Sequence, residues 1–394
     1  MRILLVHNEY GRLSGEDVMV ALIARLLAEH GHEVRGYYRS SRGIDQAAHR
    51  KVNAFFSGIY SHKSRMELRG IIKDFEPDLI QVQNVYPLIS PSVFVEAHAM
   101  GVPVVMRCAN YRLICPNGLM MTQGEICDRC SGGREWWCLL RNCEGSWPKS
   151  LGYALRNYVA RTKRMVLDHT TTYYVPTKFH RNRMIAEGLP EDRISVIPNL
   201  LETVDVPPAS ESGDFVGYAG RISPEKGIET FTAAARLARD IAFRAAGSCE
   251  RMLELPTEAP SNCGFLGHLD GEALDTFYRA CRMLVLPSVC YESFGLVLLE
   301  AMIRGKPVIC SNLGGLSETV EDGVTGLLFD SGNPTDLAQK IRYLWDHPGL
   351  CRKMGQAGRE KVLREYSPER YYERLTALYE KTLTLAATRE ELCV

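Results

Sequence analysis

Two carboxylates, Glu292 and Glu300, stand on either side of a glycine-containing segment of seven residues. An apolar run at 283–286 ends just before them at Pro287. That run reads as a strand buried on both faces, and Gly295 lets the backbone come close to a ligand. A helix starting near Phe294 would offer free amides and its positive dipole end to an anion. Glu300, expected about two turns further in, would repel that anion but can accept hydrogen bonds from sugar hydroxyls. The combination suits a ligand with both phosphate and sugar. A capped amphipathic helix with a solvated Glu300 has the same spacing. Other chemistries lack their signatures: no G-x-G-x-x-G follows the first strand, no G-x-S-x-G elbow occurs, and the histidines form no ligand set. His7 and His268 end expected strands and read as packing or binding groups.

Elements able to hold such a site recur along the chain. Continuous apolar runs at 3–6, 79–82, 102–106 and 172–175, with a further strand at 33–37, alternate with helical periodicity, as in a doubly wound α/β domain. A second series follows at 215–218, 243–246, 283–286 and 307–310. Between the series lies a polar, proline-containing stretch, 202–213, read as a linker. Ser367-Pro368-Glu369 opens a final helix of about twenty residues. With 394 residues, 45% apolar and 24% charged, the chain is globular and long enough for two domains. Lys and Arg total 47 against 47 Asp and Glu, so no chain-wide nucleic-acid footprint exists. The apolar stretch at the amino end is too short for a signal peptide, and no run would span a bilayer; the expectation is a cytoplasmic protein with reduced thiols.

Two local features need their own explanation. Cys127, Cys130, Cys138 and Cys143 lie in a Gly-, Arg- and Trp-rich loop, with Cys115 upstream. They could wrap a structural zinc, although the second spacing is not that of a common zinc module. Cysteines packed around Trp136 and Trp137 would fit as well. The following helix, expected over 150–167, carries Leu151, Ala154, Leu155, Tyr158 and Val159 on one side. Between Lys149 and Arg183 stand eight Lys or Arg and one acid, Asp168. This is either docking onto anionic lipid, at the inner face of the membrane, or a core helix with a solvated basic face.

The carboxylate segment resembles the E-x7-E element of the retaining glycosyltransferase family four. YAGRISPEKG (218–227) resembles that family's phosphate loop, and FLGH (265–268), GKPV (305–308), NLGG (312–315), Glu318 and GVTGLLF (323–329) extend the likeness over the carboxyl-terminal half. The resemblance covers nearly the whole chain. It implies the GT-B fold: α/β, two facing Rossmann-like doubly wound domains with an interdomain cleft. The implied division is an acceptor-binding domain over 1–201 with the cysteine-rich insertion at about 115–147, a donor-binding domain over 214–366, and a helix over 367–394 that returns to the first domain.

Residue roles follow from the resemblance in the same way. Arg221 and Lys226 match the basic pair on the donor diphosphate, with Gly220 beside them. Glu300 matches the ribose-binding residue. Glu292 and the amides of Phe294, Gly295 and Leu296 match the group that holds the transferred sugar. Gly15 and Glu16, in SGED (14–17), match a glycine-rich loop facing the donor phosphates, with Ser14 where a second glycine is usual. The segment CANYRLICP (108–116) has Ala109 where the family commonly has a histidine, and QVQN (81–84) has Gln83 at a similar place. Asn110 and Arg112 are left to handle the sugar on the acceptor side, and the cysteine-rich insertion to recognise the acceptor. The implied activity is transfer of a sugar from a nucleoside-diphosphate donor to the hydroxyl of a saccharide or lipid-linked acceptor, without a metal at the reaction centre, in surface polysaccharide or glycolipid synthesis. A nucleotide-sugar epimerase would instead need acid and base groups at the sugar ring. A non-catalytic nucleotide-sugar binder would tolerate Ala109. A glycosidase using Glu292 and Glu300 has no reason to keep an anion-binding helix terminus.

Overall fold

A computed structural model describes residues 1–11, 14–202, 213–250 and 252–393, apart from the side chains of Asp45 and 389–393. Most of the expected linker, 203–212, lies outside the described residues. The chain divides into two compact units. One comprises Met1–Thr122, Cys127–Pro198 and Tyr371–Val394, the other Gln123–Ile126 and Asn199–Arg370.

The first unit is built on six parallel strands: β1 (Arg2–Glu9), β2 (Glu33–Ser40), β3 (Leu79–Val82), β4 (Val104–Arg107), β5 (Thr172–Val175) and β6 (Ile194–Val196), in the order β2-β1-β3-β4-β5-β6. The inner strands β3, β4 and β5 are buried at every residue, which is why their sequences run apolar without alternating. On edge strand β2 only Tyr37 is buried. Strand order reverses between β1 and β3, and ligands of such sheets bind where the carboxyl ends diverge at this point.

The second unit repeats the plan with β7 (Phe215–Ala219), β8 (Ala242–Ala246), β9 (Cys263–Gly267), β10 (Cys281–Leu286), β11 (Val308–Ser311) and β12 (Gly326–Phe329), ordered β9-β8-β7-β10-β11-β12. Its switch point falls between β7 and β10, the two strands that lead into the phosphate loop and the carboxylate segment. Apolar residues from both faces of this sheet form its two cores, one around Phe231 and Phe243, the other around Phe294 and Leu298.

Seven helices matter below: α1 (Gly15–Glu29), α2 (Ala48–Ile59), α3 (Trp136–Leu140), α4 (Trp147–Thr162), α5 (Ile228–Leu237), α6 (Leu296–Ile303) and α7 (Pro368–Cys393). Two differ from the sequence reading. The basic helix starts at Trp147 and ends at Thr162, and its buried face holds Ser150, Gly152, Ala154, Arg156, Asn157 and Ala160. Leu151 and Tyr158 therefore point outward, while Arg156 lies buried between the rings of Tyr86 and Tyr153. α6 starts at Leu296 with left-handed Gly295 as its cap, so Glu300 sits just over one turn in, not two.

α7 closes the first unit. Tyr371, Leu375, Leu378 and Tyr379 form its buried stripe, at helical spacing. Its polar groups meet the sheet: Thr382 bonds Thr172 (2.6 Å), Tyr371 bonds Tyr174 (3.2 Å), and the Tyr379 hydroxyl donates to Gln81.

Candidate active site

In the second unit, β7 leads into Gly220, whose φ is 143°, and then Arg221. The loop turns through Pro224–Lys226 and enters α5 at Gly227, φ 68°. A Cβ on Gly227 would stand 1.8 Å from the carbonyl oxygen of Pro287, so only glycine lets this loop lie against the end of β10. The approach is sealed by the Val289 amide, which donates to the Glu225 carbonyl (3.1 Å). Lys226 and Glu292 are thereby brought into a largely buried ion pair, and Ser288 donates to the same carboxylate (2.8 Å). Burial pushes the Glu292 carboxyl up, but the Lys226 charge and the Lys226 and Ser288 hydrogen bonds outweigh it and hold the group below its ordinary range. Burial likewise pulls Lys226 down, and Glu292 more than restores it. Both groups stay charged.

Arg221 is 61% exposed and reaches Glu225 (3.4 Å), with much of its guanidinium open to solvent. Beside these groups the first-turn amides of α6, from Leu296 onward, have no acceptor within the helix. Gly295, at φ 85°, turns the chain into that helix, and Phe294 anchors it against Tyr366. Glu300 does not join the Lys226–Glu292 pair. Its carboxylate accepts from the Tyr278 hydroxyl, and burial raises it above its ordinary range against the pull of Tyr278 and Arg304.

The expected acceptor-side residues assemble within the first unit. Ser14 and Asp17 cap α1 reciprocally, with Gly15 as the first helical residue. Tyr10 donates to Glu16 (2.6 Å), Asn110 donates to the same carboxylate oxygen (3.3 Å), and Arg112 donates to Tyr10 and to Asn84 (2.9 Å each). Gln83, Asn84, Ala109, Asn110 and Arg112 line one pocket at the carboxyl ends of β3 and β4. Gln83 Nε2 and Arg112 Nε are buried there without a partner among the described residues. Buried donors of this kind normally find an acceptor, so the pocket is short of acceptor atoms. Tyr10 was missed from sequence because a lone tyrosine in a loop carries no spacing signal. Tyr278 and Ser288 were missed for the same reason.

The candidate zinc ligands Cys127, Cys130, Cys138 and Cys143 lie in a loop whose thiols are all free. Among the described residues no three His, Cys, Asp or Glu side chains are gathered to hold a metal ion. The thiols pair instead: Cys130 with Cys115, and Cys138 with Cys143. Cys130, Cys138 and Ala154 form a small core with Trp137, Cys143 and Tyr153 packed on it. Trp136 lies outside that core, stacked on Trp137.

Comparison with known proteins matches both halves. Residues 202–361 fit the family described as glycosyl transferases group 1, and residues 14–200 fit a glycosyl transferase 4-like domain. The chain belongs to this glycosyl transferase family. Its fold is GT-B: over 97% of the chain it superposes on sucrose-phosphate synthase from Thermosynechococcus elongatus (99% of that chain, TM-score 0.73, 18% identity). HepE from Anabaena, solved in complex with UDP, superposes similarly (97% of this chain, all of that one, TM-score 0.67, 16% identity). By sequence, the chain is 30% identical to the alpha-maltose-1-phosphate synthase of Mycolicibacterium smegmatis over 49% of its own length. That match spans 58% of the synthase, and an uncharacterized glycosyltransferase of Methanocaldococcus jannaschii is matched over 41% of its length.

Proposed function

We propose that the protein is a retaining glycosyltransferase that moves a sugar from a nucleoside-diphosphate donor to an acceptor hydroxyl, in surface polysaccharide or glycolipid synthesis. The observation that carries this reading is the Lys226–Glu292 pair at the switch point of the second sheet, beside the amino terminus of α6. A buried cation held by a single carboxylate, with Arg221 exposed next to it, gives a diphosphate two positive partners. Glu300, buried but anchored by Tyr278, accepts from the ribose hydroxyls. Glu292 and the amides near Leu296 hold the sugar, and Gln83 and Arg112 supply the donors of the acceptor-side pocket.

In the transfer the anomeric C–O bond to the diphosphate breaks while the acceptor oxygen bonds to the same face of the sugar. The acceptor proton passes to the departing phosphate oxygen. Arg221 and Lys226 stabilise the charge that grows on that leaving group, and preorganised charge of this kind supplies much of the rate. HepE, whose structures contain UDP, supports a nucleotide site in this fold.

The test is a thermal-shift screen with UDP-, GDP-, ADP- and dTDP-sugars, followed by release of nucleoside diphosphate with and without saccharide acceptors. Stabilisation by one nucleotide series together with acceptor-dependent release is expected. Ala109, which lines the pocket, favours the second reading, a binder without turnover. Stabilisation with no release under any acceptor would select it. In contrast, release without an acceptor would point to hydrolysis, and conversion of the donor sugar without release to epimerisation.

A further inference from the structure

The three helices α2, α3 and α4 of the first unit leave a continuous apolar surface uncovered. Trp147, Leu151, Leu155 and Tyr158 recur at helical spacing along α4, and Trp147, Leu151 and Tyr158 are exposed. α4 packs on α2 along one flank, where the Phe55 ring lies against Gly152, and on α3 along the other, where Cys138 meets Ala154. Each flanking helix adds its own exposed pair: Val52 and Phe56 on α2, Trp136 and Leu140 on α3. Phe56 is 64% exposed and Trp147 56%, values that a core-facing ring would not show. Scattered apolar side chains need no explanation, but pairs on three adjoining helices make a patch.

Basic side chains predominate around this patch. α2 carries Arg50 and Lys51 and no acid, and the stretch 147–164 carries Lys149, Arg161, Lys163 and Arg164 on its surface and no acid. Acids elsewhere meet Lys149 (Glu144), Arg161 (Glu135) and Arg164 (Asp168). A second copy of this chain would bring like charges together in a two-fold contact.

We infer that this face docks the protein on an anionic lipid surface, with the Trp147–Tyr158 stripe in the headgroup–acyl boundary and the lysines and arginines of α2 and α4 over lipid phosphates. Aromatic and aliphatic side chains beside basic ones are the composition of an interfacial helix. Attachment is peripheral: among the described residues no helix is long and apolar enough to cross a membrane. The inference does not depend on which sugar is transferred.

Co-sedimentation of the full chain with phosphatidylglycerol-containing and pure phosphatidylcholine vesicles tests it. The wild-type protein should bind the anionic vesicles about tenfold or more tightly, with affinity falling as salt rises. Trp147→Ser with Tyr158→Ser should remove most of that binding, and Phe56→Ser, on a different helix, should weaken it independently. Lys51→Glu with Lys163→Glu should erase the lipid preference. Unchanged nucleotide-induced thermal shifts show that each variant folds. Equal binding to both vesicles, full binding by folded variants, or a wild-type dimer that Trp147→Ser/Tyr158→Ser dissociates would each overturn the inference, the last in favour of a second copy.

Discussion

Lys226 and Glu292 lie 66 residues apart in sequence and form an ion pair in the structure, one on the loop after β7 and the other on the loop after β10. Each is the other's compensation for burial. Ser288 donates to the same carboxylate, so Glu292 has a second hydrogen-bond partner besides the lysine.

Lys226→Ala should therefore reduce turnover more than donor binding. A loss on the order of a hundredfold or more in kcat is expected, since an oriented charge at a leaving group contributes several kcal/mol. Steady-state kinetics together with calorimetric nucleotide binding separate the two. Equal losses in both would mean that Lys226 acts only as a binding residue.

The same pair gives a pH dependence. Glu292 is depressed in the folded state, so its contribution to stability is present above the ordinary carboxylate value of 4.5 and is lost as pH falls through the lower folded value. Glu292→Gln should be less stable than wild type by about 1–3 kcal/mol at neutral pH. Denaturant unfolding at a series of pH values should show the two converging as the solution is acidified.

Glu300→Ala should weaken UDP, or whichever nucleotide stabilises the protein, through its ribose hydroxyls. A 2′,3′-dideoxy nucleotide should bind wild type and variant alike. If the variant discriminates against both nucleotides, Glu300 serves the fold through Tyr278 instead.

Tyr10→Phe removes the hydroxyl that joins Glu16 to Arg112. Stability should fall by about 1 kcal/mol, a typical net hydrogen-bond contribution. The acceptor KM should rise while the donor KM holds, as product formation at varied acceptor concentration would reveal.

Cys143 is the most reactive thiol expected, since the hydrogen bond from Cys138 holds it down to about 6. Mass-spectrometric mapping after brief iodoacetamide treatment near pH 7 should find Cys143 alkylated ahead of the buried Cys281 and Cys310, which burial pushes up. Cys138→Ser should slow that labelling.

The inner strands were legible because burial on both faces demands uninterrupted apolar residues, and β3 and β5 match the sequence reading residue for residue. β6 and β12 were not recognised as strands: three or four residues at sheet edges, flanked by glycine or short turns, carry little pattern. Glu292 and Glu300 stood out through spacing, and Arg221 and Lys226 through the family resemblance, yet the Lys226–Glu292 contact depends on how two loops meet across a sheet, which no local pattern encodes. For the basic helix two readings stood open, its apolar side toward lipid or in a core, and the pattern did not choose between them. Arg156 shows why, since a guanidinium held between two tyrosine rings occupies a place that hydrophobicity alone would give to leucine.

α7 gives the molecule an order of assembly. Until residues 371–382 leave the ribosome, Gln81, Tyr174 and Thr172 lack the hydroxyls that meet them in the finished first unit. The half of the chain made first is thus the half completed last, and during synthesis the second unit can close its sheet while its companion still waits for a missing wall.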